Sequence, residues 1–302
     1  MSQAISARLT FRISVGLLPC AVCVLLAAAR FIATAATETR PNRIQIEYFA
    51  PKNSAYDPIY ERLKDRHALE RLQGIFSPLL LPFDLTLRTE DCGGVANAWY
   101  NRPAITVCYE YVNEFLKSLP QETTPEGITP MDAAVGQFFY VFAHEMGHAV
   151  FDVFHIPIFG RAEDGADQFA TYIMLQFGKD QARRLIGGAA YAYHNYVQRP
   201  QVTAPLAAFS DVHDAPAQRF YNLICLAYGA NPTVFADVVD KGYLPPERAR
   251  NCRGEYEQVA FAFQDLIEPH VDQNLRKQVL DHTWLPAQEP WAPPETVQQS
   301  PK

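Results

Sequence analysis

The sequence is short of basic residues and, beyond its first 30 residues, of long apolar runs. Its 26 lysines and arginines stand against 33 aspartates and glutamates, which gives a formal net charge of −7. A phosphate backbone requires a basic surface, so this balance argues against nucleic acid as a partner. Because no second apolar run is long enough to span a bilayer, any membrane segment is confined to the N-terminus.

The first 35 residues have the pattern of a secretory signal. Two arginines precede an uncharged apolar run from Ile13 to Ala29, and Ala33-Thr34-Ala35 is a small-x-small cleavage site. The alternative is an uncleaved anchor, because this run is near the lower length limit for a spanning helix. Pro19 and Arg30 favour cleavage. We therefore expect an exported protein, periplasmic or secreted, with no membrane contact once residues 1–35 are removed.

Export changes how the cysteines are interpreted. Four remain in the mature chain, and none belongs to a Cys-x-x-Cys pair that would indicate a second zinc site. In an oxidising compartment two disulfides are expected. Four cysteines allow three pairings, of which local sequence separation favours Cys92 with Cys108 and Cys225 with Cys252.

One apolar helical segment carries the pattern His-Glu-x-x-His at His144, Glu145 and His148. Since an α-helix has about 3.6 residues per turn, the two histidines project from one face and can bind the same metal ion. Glu145 lies next to that face. The apolar residues around the segment indicate a buried helix with little water, and zinc is the first candidate metal. The alternative is two core histidines that only form hydrogen bonds.

A third ligand is expected on the helical segment that follows a break at Pro157 and Gly160. Glu163 and Asp167 are four residues apart and share a face of this segment. Glu163 can complete a His-His-Glu zinc site, and Asp167 can accept a hydrogen bond from a ligand histidine. Asp164 points away from that face and is a weaker candidate.

The pattern His144-Glu145-x-x-His148 followed by Glu163-x-x-Ala166-Asp167 resembles the Glu-zincin type of zinc metallopeptidase, whose third ligand is a glutamate on a second helix. Other stretches resemble a family of exported bacterial proteins described as putative metallopeptidases, a domain of unknown function. These stretches are Cys92 to Gly94, Asn97 to Tyr100, Ile105 to Glu110 and Gln218 to Cys225. The resemblance covers roughly residues 45–270 and implies a metallopeptidase fold, but no particular substrate.

The fold class we expect is α+β: a mainly helical metallopeptidase-like domain with a small N-terminal β-sheet. Alternating residues predict strands over 43–49 and 81–87, and residues 98–109 predict an edge hairpin beside the helix with the histidines. Helical spacing covers 60–75, with further helices at 180–197 and 245–280. The domain would extend over 36–285, and the tail 286–302, rich in Pro, Gln and Glu, has too little apolar content to fold.

Two stretches outside the zinc helices have candidate roles. In peptidases of the resembled type, an edge strand holds the substrate by main-chain hydrogen bonds, and the hairpin is in the right place in sequence. An ordinary edge hairpin is an equal alternative. His213 could donate to the oxyanion that forms as water attacks a carbonyl. The alternative is that His213 caps a helix and Arg219 holds an internal carboxylate.

The sequence therefore predicts a zinc-dependent hydrolase that cleaves peptide bonds in a peptide or protein substrate. Glu145 would take a proton from a metal-activated water molecule and deliver it to the leaving amine. Two alternatives stay open, namely hydrolysis of a non-protein amide such as a cell-wall crosslink, and a non-catalytic binding protein stabilised by zinc. The intact Glu145 argues against the second, because a structural zinc site needs no base.

Overall fold

A computed structural model describes residues 42–193, 197 and 209–285. The predicted signal segment 1–35, the tail 286–302 and most of the predicted helix beyond residue 193 lie outside the described residues. The described part is α+β and mainly helical, with a small sheet near its start, which confirms the predicted fold class. Within it, no helix combines the length and apolar character needed to cross a bilayer.

The sheet has four strands in the order β1-β2-β4-β3. Their bounds are β1 Ile44–Tyr48, β2 Leu85–Glu90, β3 Ala98–Asn101 and β4 Ala104–Cys108. Strands β1, β2 and β4 are parallel, and β3 returns antiparallel to β4 as the predicted edge hairpin. All five residues of β4 are buried, as expected for a strand covered on both faces.

The helices surround one long central helix, α4. In chain order they are α1 Asp57–Asp65, α2 Ala68–Phe76, α3 Tyr109–Lys117, α4 Pro130–Val153, α5 Ala162–Gln176, α6 Lys179–Tyr191, α7 Pro216–Ala230, α8 Asp237–Asp240, α9 Pro246–Leu266 and α10 Gln273–Asp281. Helix α4 is buried over most of its circumference and packs against α5, α6 and the β3–β4 hairpin.

Several predicted boundaries are wrong. The helix expected over 180–197 is α6, which ends at Tyr191, and the range 245–280 is divided between α9 and α10. The single helix expected over 60–75 is two helices, α1 and α2, because His67 between them has a φ of 50°, in the left-handed region that cannot continue a helix. The strand expected over 81–87 begins only at Leu85, since Pro82 has no N–H for a ladder hydrogen bond. Residue 109, expected in the hairpin, begins α3 instead.

Both favoured disulfides are confirmed. Cys92 is bonded to Cys108, which ties the turn before β3 to the end of β4. Cys225 is bonded to Cys252, which ties α7 to α9. The second pair requires close helices, and Gly229 permits this, because a Cβ atom there would lie 2.1 Å from the carbonyl oxygen of Cys252.

The N-terminus of α4 is fixed by a capping box and by close contact with α6. Thr129 Oγ1 accepts from the N–H of Asp132 at 3.0 Å, and the Asp132 carboxylate accepts from the N–H of Thr129. Asp132 also pairs with Arg184 of α6 at 2.6 Å. A Cβ atom on Gly188 would lie 1.9 Å from the carbonyl oxygen of Asp132, so only glycine fits at this crossing.

Candidate metal centre

Two histidines and one glutamate bring three ligand atoms together at the C-terminal half of α4. His144 Nε2 and His148 Nε2 are 3.2 Å apart. Glu163 Oε2, in the first turn of α5, lies 3.0 Å from the first nitrogen and 3.2 Å from the second. His144 is buried and the other two side chains are partly buried. This group could hold a metal ion.

The separations are compatible with a cation shared by the three ligand atoms. Unprotonated imidazole nitrogens and carboxylate oxygens are all acceptors, so they repel one another unless a proton or a cation lies between them. Around a tetrahedral zinc ion with bonds of about 2.0–2.2 Å, neighbouring ligand atoms are about 3.3–3.5 Å apart. The three observed separations, 3.0 to 3.2 Å, are only slightly shorter.

Small residues allow α5 to approach α4 closely enough for this arrangement. A Cβ atom on Gly147 would lie 3.1 Å from the Cα atom of Ala166. Ala166 and Ala170 are fully buried at the same contact. Larger side chains here would push α5 outward and carry Glu163 away from the histidines.

Asp167 fixes the orientation of His144. Its Oδ1 lies 2.7 Å from His144 Nδ1. Since an ionised carboxylate can only accept, Nδ1 carries the proton, and Nε2 is the ring nitrogen that faces the other two ligand atoms. Arg219 of α7 donates to both oxygens of Asp167, at 2.7 Å and 2.6 Å. Arg219 thus holds an internal carboxylate, as one of the two sequence interpretations proposed.

These contacts shift the pKa values of the group. Burial by itself would lower the pKa of His144, but hydrogen bonds to Asp167 and Glu163 outweigh it and raise the pKa to about 9. The hydrogen bond with His144 lowers the pKa of Glu163 to about 2. Burial would raise the pKa of Asp167, but His144 and Arg219 hold it well below its ordinary value. Both carboxylates are therefore ionised at neutral pH, which suits them to bind a cation and a hydrogen-bond donor.

Glu145 faces the edge of the sheet. Its side chain is buried and lies near the backbone of Tyr100 in β3. Burial raises the pKa of Glu145 to about 7, and the charge of His144 offsets only part of this shift. The hairpin is fixed in place because Tyr100 Oη and Arg102 Nε donate to Asp152 of α4 at 2.6 Å and 2.8 Å. An edge strand thus lies beside the candidate base.

His213 reaches the same centre from the loop before α7. Its Nε2 lies 2.9 Å from Glu163 Oε2, and its ring lies 5.8 Å from that of His144. Asp211 accepts from the backbone N–H of His213 at 2.9 Å and lies 3.2 Å from its Nδ1. Among the described residues no side chain caps α7, which begins after Ala215, so the interpretation of His213 as a helix cap is wrong.

Sequence reasoning missed the tyrosines that surround Arg219. Its guanidinium lies 5.9 Å from the ring centre of Tyr140 and 5.6 Å from that of Tyr193. Burial raises the pKa of both tyrosines, and the charge of Asp167 acts in the same direction. Nothing in the local pattern distinguishes such a tyrosine from an ordinary core aromatic residue.

The centre combines His-Glu-x-x-His on a buried helix with a glutamate on the next helix. Residues 48–267 match a family described as putative metallopeptidases, and the chain belongs to this family. The resemblance expected from the sequence is thereby confirmed. No curated protein and no solved structure matches the chain.

Proposed function

We propose that the protein is a zinc-dependent metallopeptidase that hydrolyses peptide bonds. The observation that carries this proposal is the convergence of His144 Nε2, His148 Nε2 and Glu163 Oε2 to within 3.2 Å of one another, with the buried Glu145 beside them. Three protein ligands are typical of catalytic zinc sites, whereas structural sites use four. Membership of a metallopeptidase family supports the same reaction class.

His144, His148 and Glu163 would hold the zinc ion. When bound, zinc would polarise the substrate carbonyl and lower the pKa of a water molecule towards neutrality. Asp167 keeps the proton of His144 on Nδ1, which leaves Nε2 free to bind. Arg219 keeps Asp167 ionised and oriented through its two hydrogen bonds.

Glu145 is the proposed general base. The ideal base has a pKa near the working pH, and burial raises that of Glu145 to about 7. A nearby cation favours the ionised form, so the carboxylate is ready to accept a proton from water. It would then deliver this proton to the leaving amine. Glu145 itself is shielded from bulk water, because it is buried where β3 packs against α4.

The edge strand β3 is the proposed substrate-binding strand. Among the described strands it pairs only with β4, so its other edge can pair with an extended peptide. Its docking through Tyr100 and Arg102 onto α4 supports this role, because the strand is held beside Glu145.

His213 is the proposed donor to the carbonyl oxygen. Its side chain is 40% exposed and lies at the open side of Glu163, where a substrate could reach Nε2. Asp211 Oδ1 lies 3.2 Å from Nδ1 and orients the ring. We also propose that the protein works in the periplasm or outside the cell, because both disulfides need an oxidising compartment.

The test is hydrolysis of a mixed peptide library by the protein and by Glu145→Gln, with zinc quantified in both. We expect one zinc ion per chain in each protein and at least about 100-fold slower cleavage by the variant, the effect typical of losing a general base. Glu257→Gln on the exposed face of α9 is the matched control and should cleave at the original rate.

The other outcomes separate the alternatives. Cleavage that survives Glu145→Gln at full zinc content would contradict the mechanism. One zinc per chain with no cleavage by either protein would shift the assignment to a non-protein amide substrate or to a binding role. Absence of stoichiometric zinc would contradict the proposal at its first step.

A further inference from the structure

A cavity lies away from the metal centre, between α1, α2, α3 and the N-terminal half of α4. Its volume is about 170 Å³, comparable with the engineered apolar cavity of about 150 Å³ that binds benzene. Its floor is formed by buried residues such as Leu72, Met131 and Phe139. The cavity is therefore an apolar site large enough for part of an alkyl chain.

The charged side chains that line this cavity are all arginines, among the described residues. The polar side chains that line it are Arg62, Arg66 and Arg71, and the described lining residues include no acid. Arg66 and Arg71 are exposed at the corner between α1 and α2. Burial and the charge of Arg66 lower the pKa of Arg62, as expected where like charges are close together. The mouth of the cavity thus favours an anion.

One wall of the cavity is held in position by specific contacts. Trp284 donates Nε1–H to the Val279 carbonyl at 2.7 Å, and its own carbonyl accepts from Arg71 at 2.7 Å. Its indole ring lies over Gly74, where a Cβ atom would come within 2.7 Å of the ring. These contacts hold the wall in place, and the Arg71 side chain is already used in one of them.

Arg66 differs from Arg71 in this respect. The carbonyl of Arg66 accepts from Arg71 Nε at 3.2 Å, while the Arg66 side chain is exposed and has no hydrogen bond or ion pair with another described residue. Its guanidinium is therefore available to a ligand. An anion bound by Arg66 could extend an apolar tail towards Leu72 and Phe139, past Phe138 of α4.

We propose that this cavity binds a carboxylate with a single alkyl tail, with its head at Arg66 and its tail in the apolar interior. The narrow volume suits one chain, and the all-arginine mouth selects an anionic head over a neutral or cationic one. The site is separate from the metal centre and does not depend on the proposed peptidase activity.

The test is calorimetric titration of the purified protein with decanoate, decanol and decyltrimethylammonium. We expect one decanoate per chain, bound at least tenfold more tightly than the other two. From hexanoate to octanoate the affinity should rise about fourfold per methylene group. It should level off in longer acids, once the tail exceeds the cavity.

Two variants test the binding of the carboxylate head and of the alkyl tail separately. Arg66→Gln should weaken decanoate at least tenfold and leave decanol unchanged, while Ala134→Leu, which narrows the cavity, should weaken both. Arg253→Gln, an exposed arginine on α9, should change neither. Circular dichroism would verify that each variant is folded.

Several results would overturn the proposal. Equal affinity for the carboxylate and the cation would show that the cavity accepts any alkyl tail. Decanoate binding that survives both Arg66→Gln and Ala134→Leu would place the ligand elsewhere. No binding to the original protein would show that the cavity is closed in solution by the chain itself.

Discussion

The two halves of α4 have the same backbone structure and different environments. The N-terminal half, from Pro130 to Val141, presents Met131, Val135 and Phe138 to an apolar cavity. The C-terminal half, from Phe142 to Val153, presents two histidines and a glutamate to a cluster of charged groups.

The difference lies in what packs against each half. The N-terminal half is held by α6 through the close backbone crossing at Gly188 and the ion pair between Asp132 and Arg184. The C-terminal half is completed by Glu163 and Asp167 from α5, by Arg219 from α7 and by His213 from a loop. We therefore expect substitutions around the N-terminal half to change stability, and substitutions around the C-terminal half to change metal binding and activity.

The largest effect is expected from Glu163→Ala, which removes the third ligand. The metal should be lost from the purified protein and peptide hydrolysis should fall below detection, because two histidines alone leave the ion weakly held. Mass spectrometry measures the metal content, and hydrolysis of the peptide library measures the activity. Asp164→Ala is the control and should keep both, because Asp164 is in the same helical turn but pairs with the partly exposed Arg161. Full metal content in Glu163→Ala would rule out this ligand.

His213→Gln should reduce kcat by about 100- to 1000-fold at unchanged metal content, the loss typical of one oxyanion donor. Steady-state kinetics on a cleaved library peptide would measure it. His67→Asn is a suitable control, because His67 is exposed and asparagine tolerates its left-handed φ. An unchanged kcat in His213→Gln would remove the residue from the mechanism.

Asp167→Asn should weaken metal binding about 10- to 100-fold, because the amide can no longer fix the His144 tautomer as a carboxylate does. It also leaves the partly buried Arg219 without its counter-charge, so stability should fall as well. Competition with a chelator measures the affinity for the metal. Asp265→Asn, on the surface of α9, is the control variant and should bind the metal as the original protein does. Equal affinity in the two variants would contradict the orienting role.

The smallest effects concern stability alone. Gly188→Ala should destabilise the protein by at least about 1–3 kcal/mol, since its Cβ atom would meet the Asp132 carbonyl at 1.9 Å. Gly254→Ala, in α9 with open space around it, should stabilise by up to about 1 kcal/mol. Thermal unfolding measures both. If Gly188→Ala also lowered metal affinity in the folded protein, the two halves of α4 would not be independent.

Much of the fold could be predicted because local patterns fix it. The edge hairpin, the helix with the histidines and the first strand follow from residue alternation and helical spacing. The two disulfides were predictable because both join cysteines close in sequence. The break at His67 could not be predicted. The apolar pattern continues across this residue, and a histidine gives no sign in the sequence that its backbone is left-handed.

The sequence by itself determined the spacing of His144 and His148, because the helical repeat places residues four apart on one face. It also determined that Glu163 and Asp167 share a face of α5, which made them candidates for one site. Only the tertiary structure decided that Arg219 and its tyrosines enclose Asp167, that His213 reaches Glu163, and that three arginines surround an apolar cavity. These contacts join segments far apart in sequence, and their distances are set by how helices pack, which no local pattern encodes.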